Sequence, residues 1–375
     1  MVKLLKNVYE KIYDIDNLKL AHKNARRDKA FYREVKMVNS NEEYYLWEIQ
    51  KSLKNETYII KETDYRCSEI YDKIKTRKLM KLDYYPHRII QWAIMQQIAN
   101  MMEKLFTNFT CASIPKKWGK QAMKLMDKYM RDKEWTKYCL KLDISKFYPN
   151  INHSILKKLL RRKIWDKKLL KLLDMIVDSH PWEKWLPIGS YLSQYLANYY
   201  LAFFDHWLKE NLKVRYVIRY MDDIVVLGES KEYLWIIFWK IKEYLKDNLD
   251  LKIKWNYQVF PVDKRGIDFV WYRFFYWYRL LRKRTCKKFK ERTLWIKRKQ
   301  TIWQFINYRE WSSTNSYLWW IIHCDSYRLY SKYISPIISS IVRYYFFVIW
   351  KKNKSKFRRY RRKFLKKKWR INYTT

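Results

Sequence analysis

Arg219-Tyr220-Met221-Asp222-Asp223-Ile224 is the stretch that decides how this chain is read. On either side lie runs rich in Val, Ile and Tyr, Lys213–Arg219 and Ile224–Leu227, which read as two strands. A tight connection between two such strands makes a hairpin, so the Asp pair stands at its tip. Adjacent carboxylates repel each other and gain nothing from packing. They gain a purpose if they share divalent cations, which prefer hard oxygen ligands. Taken alone, a solvated acidic turn is the plainer explanation. A second acid upstream changes the balance.

That acid is Asp143, in Tyr138-Cys139-Leu140-Lys141-Leu142-Asp143-Ile144-Ser145-Lys146-Phe147-Tyr148. The strand predicted here ends at Asp143, and the chain turns through Phe147-Tyr148-Pro149 into a helix starting near Asn152. Between the two acidic sites lies Leu186-Pro187-Ile188-Gly189-Ser190-Tyr191-Leu192-Ser193-Gln194, followed by a helical run over Tyr195–Leu212. In this order and spacing the three stretches resemble motifs A, B and C of the reverse transcriptase palm. The resemblance implies an α+β fold, a right-hand polymerase with fingers, a palm of antiparallel sheet plus helices, and a helical thumb. It divides the chain into an N-terminal helical extension (1–56), fingers (57–135), a palm that includes the motif B helix (136–262), and a primer-grip region with a basic thumb and tail (263–375).

The chemistry implied is RNA-directed DNA synthesis. Nucleotidyl transfer uses two cations about 3.5–4 Å apart, and carboxylates from separate strand ends can hold such a pair. By resemblance, Asp143, Asp222 and Asp223 are the catalytic acids. Two Mg²⁺ ions, with Mn²⁺ as a substitute, are bridged by Asp143 and Asp222, with Asp223 a weaker ligand and the Ile144 carbonyl a further one. Tyr148 falls at the steric-gate position beneath the sugar. Gly189 lets backbone approach the nucleotide closely, and Ile188, Ser193 and Gln194 flank it. Lys75 and Arg77 precede a helix that begins near Arg88, where the family's basic fingers residues grip the triphosphate. His87 departs from the acid usual before that arginine. Lys116 and Lys117, in the basic turn Phe109–Gly119, are placed to cradle phosphates. Tyr220 and Met221, with Phe269 and Tyr272 of a primer-grip-like Arg265–Tyr272, complete the expected nucleic-acid contacts.

Charge agrees with that reading. The formal net charge is +44, and Leu281–Thr375 carries 27 Lys and Arg against 3 acids. So lopsided a field implies a polyanionic partner, and the interleaved aromatics favour nucleic acid, which they can stack upon. Template RNA and a primer or cDNA are the expected partners. The five Cys are scattered without a Cys-x-x-Cys pair, which fits a reduced cytoplasm and argues against a disulfide framework or zinc site. Met1–Glu10 has no signal-peptide pattern. Ile334–Trp350 is too short for a membrane span and carries Arg343, so no membrane partner is expected. Glu232–Leu249 reads as a helix serving the core alone, and Leu251–Asn256 as a short strand.

Ile188-Gly189 and Ser193-Gln194, taken with Tyr-Met-Asp-Asp, resemble the reverse transcriptases of diversity-generating retroelements. That resemblance implies error-prone cDNA synthesis assisted by a pentameric basic accessory protein. The alternatives are a retron-like or phage-defence reverse transcriptase, or a basic RNA-binding protein with an inactive palm. Composition adds one anomaly. The chain has 4 Gly and 20 Trp, where Gly is ordinarily about 7% of residues. Trp118, Trp185 and Trp271 stand where the family has glycine, as UGA codons decoded as Gly would place them.

Overall fold

The computed structural model describes residues 4–72, 75–115, 117, 119–179, 182–187, 190–302, 304–341 and 344. The chain divides into two compact units, Met1–Pro261 and Val262–Thr375.

The first unit opens with four helices, α1 (Tyr9–Tyr13), α2 (Ile15–Ala25), α3 (Arg33–Ser40) and α4 (Glu42–Lys54). Asp14 and Asn41 start α2 and α4 by accepting backbone N–H groups that have no partner inside the helix. An antiparallel hairpin follows, β1 (Tyr65–Asp72) with β2 (Lys75–Leu82). Helix α5 (Ile89–Leu105) then buries Ile89, Ile94, Met95, Ile98 and Met102 on a broad face, while Asn100 and Lys104 stay exposed. An apolar face that wide belongs against other protein, and α5 packs between α2 and α9 (Tyr191–Tyr200).

Between α5 and α9 come α6 (Gly119–Tyr129), β3 (Tyr138–Asp143), α7 (His153–Arg161) and α8 (Lys167–Asp178). After α9 come α10 (Ala202–Glu210), β4 (Tyr216–Tyr220), β5 (Asp223–Gly228), α11 (Lys231–Leu249) and β6 (Gln258–Pro261). The sheet order is β4-β5-β3-β6, with each neighbouring pair antiparallel. Leu140, Leu142, Ile224 and Val226 of its central strands are buried, and α11 packs on β3, β5 and β6.

Several expectations change in detail. The single helix over Tyr195–Leu212 is two helices meeting at Leu201, whose ψ of −2° departs from helical geometry. Leu251–Asn256 is not a strand: only Ile253 bridges, antiparallel to Ile144. Asp250 causes this, because its left-handed φ of 51° ends α11 and turns the chain sharply before Leu251. Helix α11 is not purely a core element either. Leu234, Phe238, Ile241 and Leu245 are buried while Trp235, Ile236 and Trp239 are exposed.

The second unit contains the short helix α12 (Val262–Arg265), then β7 (Ile267–Phe269), β8 (Tyr272–Phe274) and β9 (Arg279–Leu281) in a three-stranded antiparallel sheet. Helices α13 (Lys283–Thr301) and α14 (Tyr308–Ile321) follow. Phe289, Ile296, Ile306, Ile321, Ile334 and Ile337 form a core of their own. Most of the apolar run after Ile341, and the basic tail 351–370, lie outside the described residues. No helix among the described residues is long and apolar enough to cross a membrane.

Two of the three anomalous tryptophans sit on glycine-like backbone. Trp185 has φ 135° and Trp271 has φ 75°; Trp118 lies outside the described residues. In the register Phe269 faces Tyr272, so Val270-Trp271 is a two-residue hairpin loop, and both residues have positive φ. That loop geometry selects Asn-Gly, and a β-branched residue there is strained. Each L-residue held in this region costs about 1–2 kcal/mol. We expect Trp271→Gly to raise stability in denaturant titrations by about 1 kcal/mol and Val270→Asn/Trp271→Gly to raise it further. Unchanged or lowered stability in both variants would rule out a glycine-type turn.

Candidate active site

Two backbone devices bring the acidic sites together. Tyr220 pairs with Asp223, leaving Met221-Asp222 as a two-residue hairpin loop. Met221 has φ 56°, the conformation for which two-residue loops prefer glycine at their first position. At the far side of β5, Asp143 stands directly opposite Asp223. The amide of Ile144 donates to the Asp222 carbonyl at 3.1 Å, tying the end of β3 to the tip of the hairpin. The sequence prediction that Asp143 ends a strand and Asp222-Asp223 a hairpin turn is therefore met in the backbone.

Beneath the hairpin lies a buried polar cluster. Arg219 and Asp205 are both fully buried. Arg219 Nε donates to Asp205 Oδ1 at 2.7 Å and Nη2 to Oδ2 at 2.5 Å, a two-pronged guanidinium–carboxylate pair. The remaining nitrogen, Nη1, donates to Asn198 Oδ1 at 3.2 Å and to the Met221 carbonyl at 3.1 Å. Thr110 Oγ1 donates to Asp205 Oδ2 at 2.7 Å, and Asn198 Nδ2 donates to the Ala112 carbonyl at 2.9 Å. The backbone of Arg219 is held as well, its amide donating to Phe109 and its carbonyl accepting from Cys111. One buried cation thus connects α9, α10, the segment after α5 and the strained turn carrying Asp222. Sequence reading treated Arg219 as a strand residue; its signal was an arginine inside an otherwise apolar strand beside two acids.

The carboxylates themselves form a close pair. Burial pushes the Asp222 carboxyl up to about 6, and the neighbouring Asp143 carboxylate adds to the rise. One oxygen of Asp143, Oδ1, is buried without a hydrogen-bond partner. The other, Oδ2, accepts from Lys254 Nζ at 2.5 Å. Lys254 is brought there by the short pairing beyond α11, where its amide donates to the Asp143 carbonyl at 2.8 Å. Its position was not foreseen, although Leu251, Lys252, Ile253 and Lys254 alternate apolar and basic. Lys141 Nζ lies 3.7 Å from Asp223 Oδ2. Among the described residues no group of three His, Cys, Asp or Glu side chains gathers to hold a metal ion. Asp143 and Asp222 still fit a cation, since a buried oxygen without a donor and a strained carboxylate pair are both relieved by positive charge.

The other predicted residues fall at varied distances from this pair. Tyr148 is beside it: its hydroxyl lies 4.0 Å from the Met221 sulfur, and burial and the Asp222 charge raise its phenol well above the usual range. Ser193 is buried near the start of α9, its amide bonded to the Ser190 hydroxyl, and Gln194 follows on the same helix. Lys117 turns inward, donating to the Thr107 carbonyl at 3.1 Å. His87 is buried between Tyr58, 2.9 Å away, and Asp64, 3.3 Å away, so an acid from another segment neighbours it. Phe269 and Tyr272 belong to the second unit and are fully buried, with the Tyr272 hydroxyl donating to the Trp320 carbonyl. Their rings are therefore core residues there and not surfaces for stacking bases. Lys75 and Arg77 lie on β2 opposite Asp72 and Ile70, but their side chains lie outside the described residues. So do Ile188, Gly189 and Lys116.

The first unit thus combines helices with an antiparallel sheet and brings acids of a hairpin and of a facing strand end together. A family model described as reverse transcriptase (RNA-dependent DNA polymerase) matches residues 68–270. That is more than half of the 375 residues, and the chain belongs to this reverse transcriptase family. The family indicates an RNA-directed DNA polymerase, for which template RNA and a primer are the implied partners and divalent metal ions the general requirement. A comparison with curated proteins finds no match.

Removing one partner of a buried ion pair strands the other charge, at about 3–5 kcal/mol. Asp205→Asn is expected to lose stability of that order in urea titration, and a loss below about 1 kcal/mol would contradict the role given to the cluster. Asp222 gives a second expectation. Its folded-state value lies above the ordinary 3.8, so the folded protein holds a proton that the unfolded chain has released. In metal-free buffer the Asp222 contribution is therefore fully favourable near pH 4 and falls as the pH rises to about 6, by about 3 kcal/mol. Asp222→Asn should flatten that part of the stability profile; identical profiles for the two proteins would oppose it.

Proposed function

We propose that this chain is a right-hand reverse transcriptase with Asp143 and Asp222 as its principal catalytic acids and Asp223 as an accessory one. The observation that carries the reading is the close, partly buried Asp143–Asp222 pair at the meeting of β3 with the β4–β5 hairpin, inside the segment matched to the family. On this reading the first unit supplies fingers (57–135) and palm (136–262), preceded by the helical extension 1–56. Residues 263–375 supply the primer-grip region and a basic thumb.

Asp143 and Asp222, with Asp223 and the Ile144 carbonyl, would hold two Mg²⁺. Such ions, when bound, lower the pKa of the primer 3′-hydroxyl and stabilise the triphosphate leaving group. The residues of the chain do the rest. Arg219 holds the Met221 carbonyl and so keeps the Asp222 turn in its strained form. Lys254 balances part of the carboxylate charge through Asp143. Tyr148, packed beside Met221, places an aromatic ring where the sugar of the incoming nucleotide lies, which disfavours a 2′-hydroxyl. Lys75 and Arg77 grip the triphosphate, Ile188 and Gly189 line the nascent pair, and Ser193 and Gln194 support it from α9. Lys116, Tyr220 and Met221 meet the nucleic acid, while Lys117, bonded to the Thr107 carbonyl, braces that turn from inside.

The finer reading is error-prone cDNA synthesis within a diversity-generating retroelement, with a pentameric basic accessory protein. It is supported by Ile188-Gly189 with Ser193-Gln194, since an apolar Ile188 removes a polar contact to the nascent base pair. Primer extension on an RNA template with dNTPs and Mg²⁺ tests both levels. Extension by the wild type and its loss in Asp222→Asn is the expected result, and equal extension by both would sink the assignment of the acids. Tyr148→Ala is expected to admit ribonucleotides, and sequenced wild-type products to carry errors opposite template adenines. Faithful copying of adenines would remove the retroelement reading while leaving the polymerase.

A further inference from the structure

A cavity of about 530 Å³ lies among the N-terminal helices, the β1–β2 hairpin and the residues leading into α9. None of Asp143, Asp222 and Asp223 lines it. Its walls include the cations Lys29, Arg66 and Arg88 and the acids Glu34 and Asp83. Both acids are already engaged. Arg66 Nη2 lies 2.9 Å from Glu34 Oε1 and 2.9 Å from Asp83 Oδ2, and the Tyr84 amide donates to Glu34 Oε2 at 2.5 Å.

Among the described residues neither Lys29 nor Arg88 makes an ion pair, although Asp28 lies close enough to Lys29 to favour its charge. Lys29 donates only a long bond, 3.4 Å, to the Arg27 carbonyl. Arg88 makes no ion pair among the described residues, and its Nε is buried with no hydrogen-bond partner. Burial pulls the Lys29 ammonium below its usual value and the Arg88 charge lowers it further; burial also lowers Arg88. A second orphaned donor, the buried indole Nε1 of Trp92, belongs to the same lining. Trp92 stacks on Tyr191 at 4.5 Å and 20°, giving the cavity a flat aromatic wall. Each buried donor left unmade costs about 1–3 kcal/mol. Two cations and two orphan donors around one space are therefore a site prepared for an anion carrying several acceptor oxygens.

We propose that this cavity binds a phosphate group of the RNA strand, held by Arg88 and Lys29 beside the Trp92–Tyr191 wall. The anion chemistry stands on the cavity alone; the choice of RNA rests on the reverse transcriptase reading. It is favoured by the borders of the cavity, since Pro187 and Ser190 flank the Ile188-Gly189 stretch proposed to line the nascent pair. A free nucleoside triphosphate offers the same phosphate chemistry.

The test uses the full chain and a fluorescein-labelled single-stranded RNA, titrated by anisotropy across a salt series. Wild type is compared with Lys29→Gln and Arg88→Gln, and the melting temperature of each variant is checked. Each substitution is expected to weaken RNA binding about tenfold, the weight of one charge-assisted hydrogen bond. Each should also reduce the slope of log K against log salt by about 0.7, as one lost phosphate contact on a single strand does. If Arg88→Gln fails to fold, Lys29→Gln carries the test. An unchanged RNA slope with a raised KM for dNTP in primer extension would overturn the RNA assignment and give the phosphate to the free nucleotide. Unchanged slope and KM in folded variants would overturn the site altogether. A changed slope in a protein without extension activity would keep the site and remove the polymerase reading instead.

Discussion

The contact on which the geometry of the acidic hairpin depends is the buried pair of Arg219 and Asp205. Neither side chain reaches solvent, and a charge buried alone would not be tolerated. The pair persists because every guanidinium nitrogen is used: two prongs to Asp205 and Nη1 shared between Asn198 and the Met221 carbonyl, with Thr110 donating to the carboxylate. The bond to the Met221 carbonyl connects the cluster to the acidic turn. It fixes the carbonyl of a residue held at positive φ, and the next residue is Asp222. A turn that would relax if left to itself is kept strained by a rigid interior.

A second constraint is electrostatic. Bringing Asp143 and Asp222 together in a buried place raises the Asp222 carboxyl and leaves Asp143 Oδ1 without a donor. Among the described residues, one positive side chain, Lys254, meets Asp143 directly. The geometry therefore accumulates negative charge that protein groups only partly offset, which is the condition a divalent cation satisfies. The cavity near Arg88 has the opposite sign for the same reason. There, Arg66 has taken both acids of the lining, and among the described residues Lys29 and Arg88 form no ion pair. Two sites of opposite charge, built from the same first unit, suit a metal-dependent reaction on a polyanion.

The tryptophans express a third constraint, local to the backbone. Trp185 and Trp271 occupy conformations that glycine adopts freely and other residues resist. Val270-Trp271 is the sharper case, because both loop residues have positive φ in a turn whose geometry calls for Asn-Gly. The composition anomaly of four glycines beside twenty tryptophans thus reappears as strain at identifiable positions.

What the sequence determined by itself was whatever depends on local pattern and order. Strand alternation, the Asp pair between two β-rich runs, Asp143 at a strand end, and the helices α5 and α11 are readable because their signals are periodic or adjacent. The membership of Asp143 and Asp222 in one site was legible too, through the order of three motifs. Tertiary structure decided what depends on residues distant in sequence. Arg219 meets Asp205 across a helix and a strand, and Lys254 reaches Asp143 from 111 positions away. Leu251–Asn256 lost its strand because a left-handed Asp250 redirected the chain. Phe269 and Tyr272 are buried within the second unit, and α11 leaves Trp235 and Trp239 exposed outside the face that buries Leu234, Phe238 and Ile241. Pattern specifies which residues can pair or hide; which partner each one finds is settled only when the chain has packed and every buried charge must be met.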